Sequence, residues 1–218
     1  MSQAIPLKRG DLRDALIDYA RNETDCGCID SMSLRAAARD LGVSSGAVYR
    51  HFEDKDALLK EVVHQGFLEL REAFFAIRPE GDRAPDATHA ARRAFTMNRA
   101  FVKFAQNHPS LWRMMFGRIG VMCREDQVKD PEMMRYTIMD AVHHNALDLW
   151  HHGALDREPD LSDIRFIWSA IHGAADLAQS GARYDGGDLV SVADQTAERS
   201  LRALGCRRNV IEAGRPGT

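Results

Sequence analysis

The chain lacks the marks of a secreted, membrane-spanning or catalytic protein. No apolar run approaches the ~20 residues that a membrane-crossing helix needs. The N-terminus has no basic stretch leading into an apolar core, so no secretory leader is expected and the cytoplasm is the expected location. Only four of 218 residues are cysteine, too few for a disulfide framework in a chain this long, and in that compartment reduced thiols are expected. No segment alternates with period two, which argues against a sheet. A phosphate-cradling glycine loop, a nucleophile elbow and an H-E-x-x-H helix are all missing, and the carboxylates have no evident pairing, so neither an enzyme nor a cofactor is expected. Nor is there a surplus of positive charge: the formal net charge is −3, and a bulk basic footprint is absent.

What is present is a helical punctuation pattern. Leu34, Ala37, Ala38 and Leu41 recur at helical spacing, and Gly42 then supplies a C-terminal stop. Val43 plugs a corner, and Ser44 is a good N-cap for a second helix over roughly Ser45 to His51. A helix, a short turn with glycine and another helix make a helix-turn-helix. Val48 and Phe52, four apart, hold the second helix to the domain, leaving Ser45, Gly46, Ala47, Tyr49, Arg50 and His51 on other faces. Small residues at its entering end permit close approach to a surface, and the three polar side chains suit phosphate oxygens or base edges. Asp54 caps the next helix and puts Lys55 in its first turn, beside exposed backbone donors, as a phosphate clamp.

From Ser33 to Leu59, S-L-R-A-A-A-x-x-L-G-V-S-x-G-A-V-Y-R-H-F-x-x-K-x-A-L resembles, without a gap, the DNA-binding signature of the TetR family of transcriptional regulators. The resemblance implies that Ser33 and Arg35 reach the DNA backbone. It implies that Ser44, Ser45, Gly46 and Ala47 lead the recognition helix into the major groove, with Arg50 reading bases. Tyr49, His51 and Lys55 would hold phosphates. Arg35, Arg39, Arg50 and Lys55 stand against Asp40, Glu53 and Asp54, a balance of only +1, so binding rests on placed donors and on pairing two copies. The segment Asn22 to Met32 is longer than the family's usual connection and carries Cys26-Gly27-Cys28, read either as a thiol or metal sensor or as a polar loop with two reduced cysteines.

The rest of the chain is divided by Pro79, Pro85, Pro109, Pro131 and Pro159, none interrupting a periodic segment. The helices expected are about 11–21, 54–77, 86–107, 110–117, 132–152, 162–181 and 188–204, with a frayed start at residues 1–7 and a disordered end from Gly214. The fold class is all-α. An N-terminal helix-turn-helix domain, residues 1–55, is joined by a shared helix to a helical regulatory and dimerisation domain, residues 56–218. Lys8 and Arg9 could touch phosphates if the tail lies along DNA.

F-A-x-x-H-P-x-L-W-x-x-M-F, with Trp168, His172 and Gly173 further on, resembles the WHG-type regulatory domain of one TetR subfamily. This implies a small-molecule effector site and dimerisation through the last two long helices. Effector candidates are Met97, Phe101, Phe104, Met115, Phe116, Met139, His143, Trp168 and His172; any one of them taken alone reads as core before pocket, and only a cluster makes a site. Ala170, Gly173, Ala174, Leu177 and Ala178, with Leu189, Val192, Leu201 and Leu204, suggest a four-helix interface between two copies. His143, His144, His151 and His152 could form a metal face or a solvated one. The expected function is a homodimeric repressor released from a palindromic DNA operator by a small molecule, the alternative being a regulator that responds to metal or thiol chemistry.

Overall fold

Eleven helices and no strand make up the described residues, 11–127, 137–180 and 188–217, of the computed structural model. They are α1 (Asp11–Asp25), α2 (Leu34–Asp40), α3 (Ser45–Val48), α4 (Lys55–Ile77), α5 (Ala87–Asn107) and α6 (Pro109–Met115), then α7 (Arg118–Gln127), α8 (Ile138–His151), α9 (Leu161–Ser180), α10 (Leu189–Ala203) and α11 (Arg208–Gly214). No helix among them is long and apolar enough to cross a membrane. The sequence reading divides the chain after residue 55. The compact units instead divide inside α4, after Leu68, and the segment beginning at His108 goes with the first unit.

In the first unit Leu16, Ile17, Leu34, Ala37 and Ala38 close over Val48 and Phe52, all buried. The alanines let the short helices come together. Gly42 turns the chain between α2 and α3 at φ +69°, a conformation that costs a Cβ-bearing residue. Each short helix has its own cap: the Ser33 hydroxyl accepts from Ala36 N–H at 3.1 Å and the Ser44 hydroxyl from Ala47 N–H at 3.2 Å. The Asp54 carboxylate accepts from Ala57 N–H at 2.7 Å and so caps α4 as expected.

Three expectations change. The recognition helix ends at Val48 rather than His51, because the N–H groups of His51 and Phe52 both return to the Val48 carbonyl and tighten the chain into a turn. Beyond Gly117, the end of the helix expected over 110–117, α7 begins at once. A Cβ on Gly120 would lie 1.7 Å from the Met115 carbonyl oxygen, so glycine there permits the abrupt α6–α7 corner. At the far end Gly214 closes α11 instead of opening a disordered tail. Ile211 is buried and Gly214 sits on Ala91 of α5, which supplies the packing the tail needs to order. Residues 1–10, 128–136 and 181–187 lie outside the described residues, so the frayed start, Lys8 and Arg9, and the start of the 132–152 helix and the end of the 162–181 helix do too.

In the second unit α5 packs against α8, α9, α10 and α11. Phe95, Leu149, Ile164, Leu201 and Ile211 are among its buried apolar residues, each contributing about 1.5–3 kcal/mol by leaving water. Asp188 caps α10 by accepting from Ser191 N–H at 2.9 Å. A two-pronged pair, Arg99 to Asp194 at 2.7 Å on both arms, fixes α10 to α5. Below the apolar layer lies a buried carboxylate: Asp148 accepts from Ala84 N–H at 3.1 Å, with Arg78 Nε at 3.4 Å and Arg93 at 3.8 Å.

Candidate nucleic-acid interface and effector cavity

The helix-turn-helix presents its polar residues outward because its apolar ones are used inward. Val48 is fully buried and Phe52 nearly so, whereas Ser44, Ser45, Gly46 and Arg50 are exposed, Ala47 and His51 half-buried, and Tyr49 is 48% exposed despite its ring. Arg35 is exposed on α2 and Ser33 at its cap. Behind them Arg13 holds Glu61 at 2.8 Å and lies 5.5 Å over the Phe52 ring. The Tyr19 hydroxyl donates to Asp40 at 2.9 Å, tying α1 to α2. That bond, seconded by Arg39, holds the Asp40 carboxyl below its usual range, while burial and the same bond raise the Tyr19 phenol.

Lys55 is placed differently from a freely projecting clamp. Its ammonium donates to the carbonyls of Ile29 and Asp30, the latter at 3.2 Å, so it pins the long α1–α2 connection to the first turn of α4 and keeps one of its three donors for another partner.

That same connection carries Cys26 and Cys28, which are joined to one another rather than reduced as expected. With one residue between them, in a turn closed by Cys28 N–H to the Glu23 carbonyl at 2.8 Å, the two sulfurs meet on one side. Single donor atoms of Glu23, Cys26 and Cys28 lie within 4.8 Å of one another. The four histidines do not gather in this way. His144 Nδ1 lies 2.7 Å from the Asp140 carbonyl of its own helix, and His152 Nε2 lies 2.7 Å from the Ala84 carbonyl. His151 packs on Trp150, and His143 is 6.0 Å from the His144 ring. Among the described residues the metal face proposed for them is not formed.

The second unit contains a cavity of about 40 Å³ between α5, α8, α9 and α10, with Phe74 of α4 in its wall. Of the sequence candidates Met97 and Trp168 line it. Phe101 stands edge-on to Trp168 at 5.3 Å, and His172 stacks on Trp168 at 5.8 Å. Phe104, Met139 and His143 are half-buried on α5 and α8, outside the lining. Met115 and Phe116 belong to the first unit, Met115 close against Gly66 and Phe116 edge-on to Phe67 at 5.8 Å. The cavity's polar groups, Asn98, Asn145 and Ser200, escaped the sequence reading. An asparagine or serine amid helical polar positions gives no sign that it faces inward.

Leu201 and Leu204, expected between two copies, instead line this cavity, and Ala174 is also buried. Ala170, Gly173, Ala178, Leu189 and Val192 are half-buried or exposed, and Leu177 is 50% exposed. Phe166 and Val190, both 51% exposed, extend the outward apolar positions.

A capped helix-turn-helix with exposed donors is the architecture of a DNA-binding regulator, and it stands on one unit while the lined cavity lies in the other. Residues 16–62 match bacterial regulatory proteins of the tetR family, and residues 94–204 match the tetracyclin repressor-like, C-terminal domain. The chain belongs to the TetR family of transcriptional regulators, its DNA-binding domain being the N-terminal match. An HTH-type transcriptional regulator of Mycobacterium tuberculosis is 29% identical over 117 residues, 50% of this chain and 47% of that protein, so the chain spans about half the length of the relative. A solved Rhodococcus sp. RHA1 protein of unknown function shares the fold with a TM-score of 0.68, 24% identity and coverage of 93% of this chain and 98% of that one. RolR in complex with resorcinol does so with a TM-score of 0.61, 18% identity and 95% of both chains.

Proposed function

We propose that the protein is a homodimeric repressor that binds a near-palindromic operator and is released when a small molecule enters the cavity of its second unit. The observation that carries this reading is Arg50, exposed two residues beyond the end of a Ser44-capped helix, with no hydrogen bond to another described side chain. An arginine so placed suits the two acceptors of a guanine edge in the major groove. Ser33, Arg35, Tyr49, His51 and the remaining donor of Lys55 contact phosphates, and Ser45, Gly46 and Ala47 allow the close approach. One such helix reads few base pairs, so two copies related by a two-fold axis are needed, at half-sites ~34–36 Å apart. Phe166, Ala170, Gly173 and Leu177, at i, i+4, i+7 and i+11 on α9, form an outward stripe suited to that pairing.

RolR, whose solved structure carries resorcinol, supports a small-molecule effector for this fold. Arg50→Ala tests the DNA reading. Fluorescence anisotropy on operator and scrambled duplexes should show the preference between them fall by about tenfold or more per half-site. An unchanged preference refutes the base contact.

A second reading has its own observation, the grouping of Glu23, in the last turn of α1, with Cys26 and Cys28 on the loop that Lys55 holds. Reduced, these residues offer a thiophilic metal three ligands beside the DNA-binding unit. Metal analysis of untagged, reduced protein decides: a stoichiometric metal that alters operator affinity supports it, and no bound metal retires it.

A further inference from the structure

The cavity in the second unit carries more information than its size. Asn98 on α5, Asn145 on α8 and Ser200 on α10 all line it and are 5%, 3% and 5% exposed. Asn98 Oδ1, Asn145 Oδ1 and Ser200 Oγ are buried without a hydrogen-bond partner. Such a group ordinarily finds one, because leaving it bare forfeits its hydration.

The orientation of both amides is fixed by their other ends. Asn98 Nδ2 donates to the Ala94 carbonyl at 2.9 Å and Asn145 Nδ2 to the Ala90 carbonyl at 3.0 Å. A flipped amide would put oxygen against oxygen at both places. The atoms left over can therefore all accept, two of them being amide oxygens that cannot donate and the third a hydroxyl that can do either. No ionisable side chain lies among the described lining residues, which are otherwise aliphatic or aromatic. A carboxylate would meet the two oxygens with like polarity, and an ammonium would be buried with no counter-charge. The volume of about 40 Å³ is room for a few waters, each needing about 10–15 Å³, whereas a cavity that takes a single ring measures about 150 Å³, so a ring enters by displacing them and pushing the lining side chains apart.

We infer that the cavity takes a small uncharged ring bearing a hydroxyl or N–H donor, which donates to Asn98 Oδ1 or Asn145 Oδ1 while its apolar body lies against Trp168 and Phe74. This rests on the effector reading given above and names the ligand class for that site. Ser200, whose hydroxyl oxygen is likewise without a partner, offers a third acceptor to the same donor.

Phenol, anisole and benzoate separate the possibilities, since they share a ring and differ in donor and charge. Titrated into the full-length protein by calorimetry, phenol should bind about tenfold or more tightly than anisole, and benzoate least. Asn98→Leu and Ser200→Ala, each checked for folding by circular dichroism, should shrink the preference for phenol over anisole. Ser200→Ala provides the mild variant if Asn98→Leu fails to fold. Anisole binding as well as phenol in the parent overturns the donor assignment and leaves the cavity as a site. No binding by any of the three overturns the cavity as a site for this ligand class. Phenol that binds with the expected preference yet leaves operator affinity unchanged sustains the ligand class and refutes only the effector role.

Discussion

Asp148→Ala tests whether the second unit depends on one buried carboxylate. Asp148 and Arg78 expose only 4% and 3% of their side chains, with Nε and Oδ2 3.4 Å apart. Arg93 retains Asp82 if Asp148 is lost, and the buried Arg78 guanidinium loses the carboxylate beside its Nε. Removing one partner of a buried pair costs about 3–5 kcal/mol, because the other stays buried. The lost bond from Ala84 N–H is part of that figure, not an addition to it. At about 2–4 °C per kcal/mol for a chain of this size, the melting temperature should fall by roughly 6–20 °C. Urea unfolding followed by far-ultraviolet circular dichroism measures it as a lower midpoint with an unchanged slope. The double variant Asp148→Leu/Arg78→Met should recover much of the loss, since it buries no charge. A single variant within about 1 kcal/mol of the parent, or a double variant no better than the single, would refute the reasoning.

Three further outcomes follow from particular residues. Lys55→Ala should lower the salt slope of operator binding by about 0.9 for each protomer and quicken proteolysis of the α1–α2 connection, whose Ile29 and Asp30 carbonyls it holds; an unchanged slope removes it from the phosphate contacts. Gly120→Ala should cost about 2–3 kcal/mol, because the neighbour its Cβ meets is the Met115 backbone oxygen; an unmoved urea midpoint would show that the corner yields. Burial pushes the Cys206 thiol up to about 11. The unfolded thiol, ionising near ~8.5, therefore loses its proton first. Stability from this site is full below that pH and declines as pH rises toward 11, by at most about 1.4 kcal/mol per pH unit. Cys206→Ala should flatten that alkaline decline, and an equally steep decline in the variant would exclude the thiol as its source.

The DNA-binding unit was legible because its signals are local. Gly42, Ser44, Val48 and Phe52 announce a turn, a cap and two anchors within eleven positions of sequence, and the structure uses each of them there. The second unit was legible in its helices and much less so in its surfaces. Leu201 and Leu177 carry the same apolar signal, yet one lines the cavity and the other is half exposed. Which way each turns depends on helices distant in sequence. Asn98 and Asn145 were passed over for a related reason: a polar residue on an amphipathic helix reads as outward until a neighbouring helix covers it. The helices α7 and α11 were missed because α7 follows α6 at once across the Gly117–Gly120 corner and α11 orders by docking on α5. The bond between Cys26 and Cys28 depends on the turn around Gly27, which the spacing did not disclose.

The division of labour inside the recognition turn has a consequence for how such a protein can change. Val48 and Phe52 do the packing, while Ser45, Gly46 and Arg50 face outward and Ala47 is only half-buried. On the DNA reading proposed above, substitutions at the outward positions alter what is read without taxing the fold that presents it, since exposed changes of this kind usually stay within about 0.5 kcal/mol. Operator preference and foldability become separately adjustable properties. A duplicated copy of this chain could drift to a new target sequence in single steps, each intermediate still folded.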